Sequence, residues 1–65
     1  MKNKIQELRQ EHHVTQAELA DQLQVSRQTI ISLERGKYNA SLMLAHRLAT
    51  YFNTTIEDIF TFEEE

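Results

Sequence analysis

Between Met1 and Glu65 the chain contains no proline and one glycine, Gly36. Without proline, no backbone donor is removed and no ring forces a kink. With a single glycine, few positions take sharp left-handed turns at no cost. The feature predicts helices joined by short turns. Hydroxyl residues mark where those helices begin. Thr15-Gln16-Ala17-Glu18 spells a capping box, in which hydroxyl and carboxylate satisfy each other's free backbone amides. It opens a helix over about residues 16–23 with Leu19, Ala20 and Leu23 inward. Ser26 caps a helix over about 27–34, stopped by Gly36, and Ser41 caps one running to about Phe52. Leu44, Ala45, Leu48, Ala49 and Phe52 form the apolar stripe of that fourth helix. A first helix covers about Lys4 to His12, with Ile5 and Leu8 inward, and Thr54-Thr55-Ile56-Glu57 offers a second capping box for a short fifth helix ending near Phe60. The expected fold is all-α, five helices in one domain over residues 1–65. Phe60-Thr61-Phe62 alternates like a strand, and with Met1-Lys2-Asn3 it has the makings of a short terminal two-stranded β-ribbon.

A chain of 65 residues buries only about 60% of the surface its unfolded form exposes, so its stability is marginal without help. The absence of cysteine excludes disulfides and thiolate metal sites. Regular helix packing and a partner subunit remain as means of stabilisation. No stretch approaches the roughly 20 apolar residues of a membrane span, and no apolar leader follows Met1, so a soluble, cytoplasmic protein is expected. The net charge of −3 is unevenly placed. Residues 1–56 hold all seven basic residues against five acidic ones, a balance of +2, whereas 57–65 hold five acidic residues and no basic one. Where charge sits matters more for nucleic-acid steering than its total.

The segment from Thr15 to Leu33 reads helix, turn at Gln24-Val25, helix. At about 100° per residue, Ile30 and Leu33 share one side of the third helix. Arg27, Gln28, Ile31, Ser32 and Arg35 share the opposite arc. Arginine grips guanine O6 and N7 with two parallel bonds, glutamine does the same to adenine, and an apolar side chain suits a thymine methyl. Arg27, Gln28, Ile31 and Ser32 are therefore candidate base-reading residues. An ordinary solvated face would look similar, and this helix alone does not decide between them. The surroundings favour DNA. Gln16 stands at a helix amino terminus, where side-chain and backbone amides both suit a phosphate. The loop Arg35-Gly36-Lys37-Tyr38-Asn39 supplies two cations, a hydroxyl and an amide suited to the backbone. Ser26 and Thr29, at the start of the third helix, complete the candidate backbone set.

Thr15-Gln16-(x)2-Leu19-Ala20, Val25-Ser26-Arg27-Gln28-Thr29-Ile30 and Leu33-Glu34-Arg35-Gly36-Lys37-Tyr38-Asn39 together resemble the Cro/CI-like (XRE), lambda-repressor-like helix-turn-helix family. The chain is most similar to its small dimeric repressors of the cytolysin-operon type. The resemblance covers nearly the whole chain. It implies that Arg27, Gln28 and Ser32 face bases and that Gln16, Arg35, Lys37 and Asn39 hold the backbone. It also implies a bond between Arg9 and Glu34. Three positions depart from the family pattern. Gln24 stands where glycine is usual, so a non-glycine must take a left-handed or bridging conformation. Ala40 replaces a proline, and Ile31 replaces a polar or charged residue, so the target sequence cannot be borrowed from relatives.

Other signals are discounted. His12 and His13 close the first helix, where partial positive charge complements the dipole, and His46 is remote, so no metal is expected. Ser26, Ser32 and Ser41 lack evident His and Asp partners, and so small a chain cannot enclose a substrate. No enzyme and no cofactor is expected. The functional expectation is a homodimeric transcriptional regulator, a repressor, on a palindromic operator, since the chain shows no separate ligand or activation domain. Ile56, Ile59, Phe60 and Phe62 are the expected dimer interface, within a pairing region of about 55–63, because one small core has little need for four large apolar residues there, although one or two of Ile56, Ile59 and Phe60, at helical spacing, can cap the monomer core. For Phe62 alone, simple idleness is the competing reading. The rival function is an antitoxin-like module that masks a toxin or other regulatory protein and binds DNA secondarily.

Overall fold

The computed structural model describes residues 2–37 and 40–61. Five helices follow one another, α1 (Ile5–Glu11), α2 (Gln16–Leu23), α3 (Arg27–Glu34), α4 (Leu42–Tyr51) and α5 (Ile56–Ile59). Four of them start at a hydroxyl. Thr15 Oγ1 accepts from the Glu18 amide at 3.0 Å while the Thr15 amide donates to Glu18 Oε1 at 2.9 Å, completing the capping box. Ser26 and Ser41 accept from Thr29 and Leu44 at 3.1 Å each. At α5 the cap is Thr55, accepting from Asp58, one residue later than the Thr54–Glu57 box that the sequence suggests. Thr54 Oγ1 donates to the Asp58 carboxylate instead.

The first four helices also end alike. His13, Gln24, Gly36 and Asn53 take positive φ of 58°, 59°, 73° and 55° just beyond α1, α2, α3 and α4. Each end is closed by a pair of backbone bonds, as in Val25 N to Ala20 O (3.0 Å) with Gln24 N to Asp21 O (3.2 Å). This is the Schellman arrangement, which satisfies carbonyls left over at a helix end. Left-handed geometry costs an ordinary residue roughly 1–2 kcal/mol, less for His and Asn than for Gln24. The departure at Gln24 is thus real and local.

The helices close over one apolar cluster. Ile5, Leu19, Ile30, Leu33, Leu48 and Ile59 are fully buried, one or two from each helix. Burying each such side chain contributes about 1.5–3 kcal/mol, which is how five short helices hold together. Ile59 (0% exposed) and Phe60 (4%) lie inside this cluster, so of the four residues expected between copies these two are the ones that cap the monomer core. The reason is geometric. α5 is barely one turn long, and the chain leaving it is pinned by an antiparallel bridge between Asn3 and Phe60. Lys4 N donates to Ile59 O at 2.8 Å and Thr61 N to Lys2 O at 2.9 Å. The expected terminal ribbon is thus present as one bridge among the described residues. Ile56 is half-buried, and Phe62 lies outside the described residues.

Candidate nucleic-acid interface

The turn between α2 and α3 is short because two devices meet in it: the left-handed Gln24 ends one helix and Ser26 caps the next. Val25, between them, is half-buried and packs on the core, which sets the angle between the helices. α3 then buries Ile30 and Leu33 and turns its other side outward. Arg27 and Gln28 are exposed on its first turn, while Ile31 and Ser32 are half-buried beside them. Side chains at the start of an outward helix can enter a major groove ahead of the rest of the chain.

Ser26 Oγ lies 2.9 Å from Thr29 Oγ1 and also accepts from the Thr29 amide, so both hydroxyls are engaged in capping. Arg35 and Lys37 are exposed where the chain leaves α3. Tyr38 and Asn39, expected to touch the backbone, lie outside the described residues.

Gln16, at the first position of α2, has a partner that the sequence did not disclose. Its Nε2 donates to Glu34 Oε1 at 3.0 Å. Glu34 also accepts from Arg9 Nε at 2.7 Å (Oε2), and Arg9 Nη1 donates to the Val14 carbonyl at 3.0 Å. A carboxylate only accepts, so Gln16 must present its NH2 end to Glu34. That group carries a second proton besides the one given to Glu34. Arg9, His13, Thr15, Gln16 and Arg27 line one concavity at the amino terminus of α2, suited to an anion.

Two further features escaped sequence reasoning. Leu42 and Met43 are exposed at 81% and 61%. They precede the buried stripe on α4, and the helical period that picks out Leu44 and Leu48 already turns them outward. Asn3 reaches α3 with its side chain, through contacts that no local pattern signals. Among the described residues, no group of three or more His, Asp or Glu could hold a metal, and no helix is long and apolar enough to cross a membrane.

A family model described as helix-turn-helix matches residues 5–59. An HTH-type transcriptional regulator of Methanocaldococcus jannaschii is 52% identical over 65 residues, covering all of this chain and 98% of its own. One from Bacillus subtilis is 42% identical over 65 residues, covering all of this chain and 98% of its own. An HTH-type transcriptional activator of Enterococcus faecalis is 36% identical over 61 residues, 94% of this chain and 30% of its own. In structure, a transcriptional regulator from Listeria innocua superposes with a TM-score of 0.81 at 23% identity, over all of this chain and 64% of that one.

Proposed function

This chain belongs to the helix-turn-helix family of transcriptional regulators, of the Cro/CI-like (XRE) type, and we propose that it reads a palindromic operator as a homodimer and represses from it. The family is one of regulators and not of enzymes. The observation that carries the proposal is the first turn of α3. There Arg27 and Gln28, the two side chains best fitted to bidentate base contacts, stand exposed on a helix whose opposite side is locked into the core. Gln16, Arg35 and Lys37 flank them as backbone contacts, with Ile31 and Ser32 as shorter readers in the groove. Occupying a promoter needs no further chemistry, so binding alone is sufficient for repression. Such a protein works in the cytoplasm, where the DNA is.

Of the four residues first expected between the copies, Ile56 is the one that is both described and not sealed in the core. The proposed dimer contact therefore centres on Ile56, and Phe62, outside the described residues, is its second candidate. The rival, a module that masks a toxin, would use the exposed Leu42 and Met43 for its partner. Selection of duplexes from a randomised pool tests the proposal. The expected product is a palindrome with half-site centres about 10 base pairs apart. Recovery of no shared sequence would overturn it.

A further inference from the structure

We infer that Asn3, remote from the proposed base-reading residues, is a positioning residue for the duplex-facing exit of α3. The inference rests on the DNA-binding reading above. Asn3 Nδ2 donates to the Leu33 carbonyl across 2.7 Å, and Asn3 Oδ1 accepts from the Ile5 amide at 3.2 Å. A backbone amide needs an oxygen opposite it and a carbonyl needs a donor, so both contacts demand the same orientation of the side-chain amide. Its backbone is held in place from both flanks by the bonds of Lys4 to Ile59 and Thr61 to Lys2.

Leu33 O belongs to the last turn of α3, where carbonyls lack intrahelical partners and added donors fix the departing chain. The same oxygen accepts from the Gly36 amide at 3.0 Å, the bond that shapes the turn carrying Arg35 and Lys37. Lys2, Asn3, Glu34, Arg35 and Gly36 line one shallow concavity, so the terminal segment lies directly against that turn. Asn3 thus joins three parts: the paired termini, the start of α1 and the end of α3. Losing its donor would remove the side-chain bond that ties the turn to the paired termini. The two cations would then spread over more directions than the phosphates accept.

Asn3→Ser separates these duties. Its short hydroxyl still caps Ile5 but cannot reach Leu33. The full chain and its Asn3→Ser, Asn3→Ala and Ala49→Gly variants are compared at a temperature where all four are folded. Asn3→Ser is expected to melt near the parent yet exchange the Gly36 amide proton faster. Its affinity for the selected duplex should fall about three- to tenfold, the scale of one hydrogen bond. Its salt slope should flatten by up to about one unit as a phosphate contact is lost. Asn3→Ala adds a lower melting temperature to the same losses. Ala49→Gly, which loosens α4 away from the interface, lowers melting without changing affinity. Unchanged Gly36 exchange in Asn3→Ser would overturn the inference whatever the DNA shows. So would an affinity loss matched by Ala49→Gly. A parent that binds no duplex sinks the DNA reading itself, and the exchange result then stands apart from it.

Discussion

Arg9 Nε meets Glu34 Oε2 at 2.7 Å, joining the middle of α1 to the last residue of the candidate recognition helix, with only 13% and 6% of the two side chains exposed. Glu34 also holds Gln16, so one carboxylate orders three helices. Removing one member of a nearly buried pair strands the other charge, which costs about 3–5 kcal/mol. Arg9→Ala and Glu34→Ala are each expected to lower stability on that scale in denaturant melts. The double replacement by apolar residues, Arg9→Met with Glu34→Leu, is expected to cost less than the two single losses together. Strict additivity would show that the side chains do not support each other.

The local part of this fold was legible in the sequence. Thr15, Ser26 and Ser41 are caps because their hydroxyls satisfy amides three residues away, a relation visible in any short window. The outward position of Arg27 and Gln28 follows from where Ile30 and Leu33 must go, whereas the left-handed Gln24 is implied by the family resemblance, which puts a glycine at that turn. What stayed hidden depends on parts distant in sequence. Gln16 to Glu34 and Asn3 to Leu33 span 18 and 30 residues. Ile56 and Ile59 have the same chemistry, and only the closing of the termini over α5 decides which one is sealed.

Specific and non-specific contacts are separable by substitution. Alanine at Arg27 or Gln28 is expected to cost about 1–3 kcal/mol on the selected duplex and to relax preference at one base pair. Alanine at Lys37 is expected to weaken all sequences alike and to reduce the salt slope by about one unit. Titrations on specific and random duplexes over a range of salt read both effects. Equal loss on the two duplexes for Arg27→Ala would move Arg27 to the backbone set.

Gln24 carries the left-handed turn between α2 and α3 at φ 59°, ψ 42°. Glycine there would relieve roughly 1–2 kcal/mol of steric cost and lose about 0.5–1 kcal/mol to the greater freedom of the unfolded chain. Gln24→Gly is therefore expected to raise stability by up to about 1 kcal/mol, with DNA affinity unchanged, since Gln24 lines a concavity with His46, Arg47 and Tyr51 and not with α3's outward residues. Thermal melts and duplex titration check it. A destabilised variant would mean that the Gln24 side chain makes a contribution beyond its backbone geometry.

The proposed dimer contact makes opposite demands of two isoleucines three residues apart. Ile59 is fully buried within one chain, so Ile59→Asp places an unpaired charge in the core and is expected to unfold the monomer. Ile56, half-buried at the head of α5 and packed only against the edge of the core, is expected to take an aspartate at a smaller cost, with the fold retained. Ile56→Asp is thus the variant that tests pairing rather than folding. In sedimentation, the parent is expected to be a dimer at micromolar concentration and Ile56→Asp a folded monomer. Phe62→Asp is expected to shift the same equilibrium more weakly. On a two-half-site duplex, Ile56→Asp should bind each half-site separately and lose the steep dependence on concentration, because symmetry no longer spaces the two recognition helices. A parent that sediments as a monomer removes the support for a palindromic operator. If Ile56→Asp stays dimeric while Leu42→Asp dissociates, the contact lies over the exposed start of α4 instead.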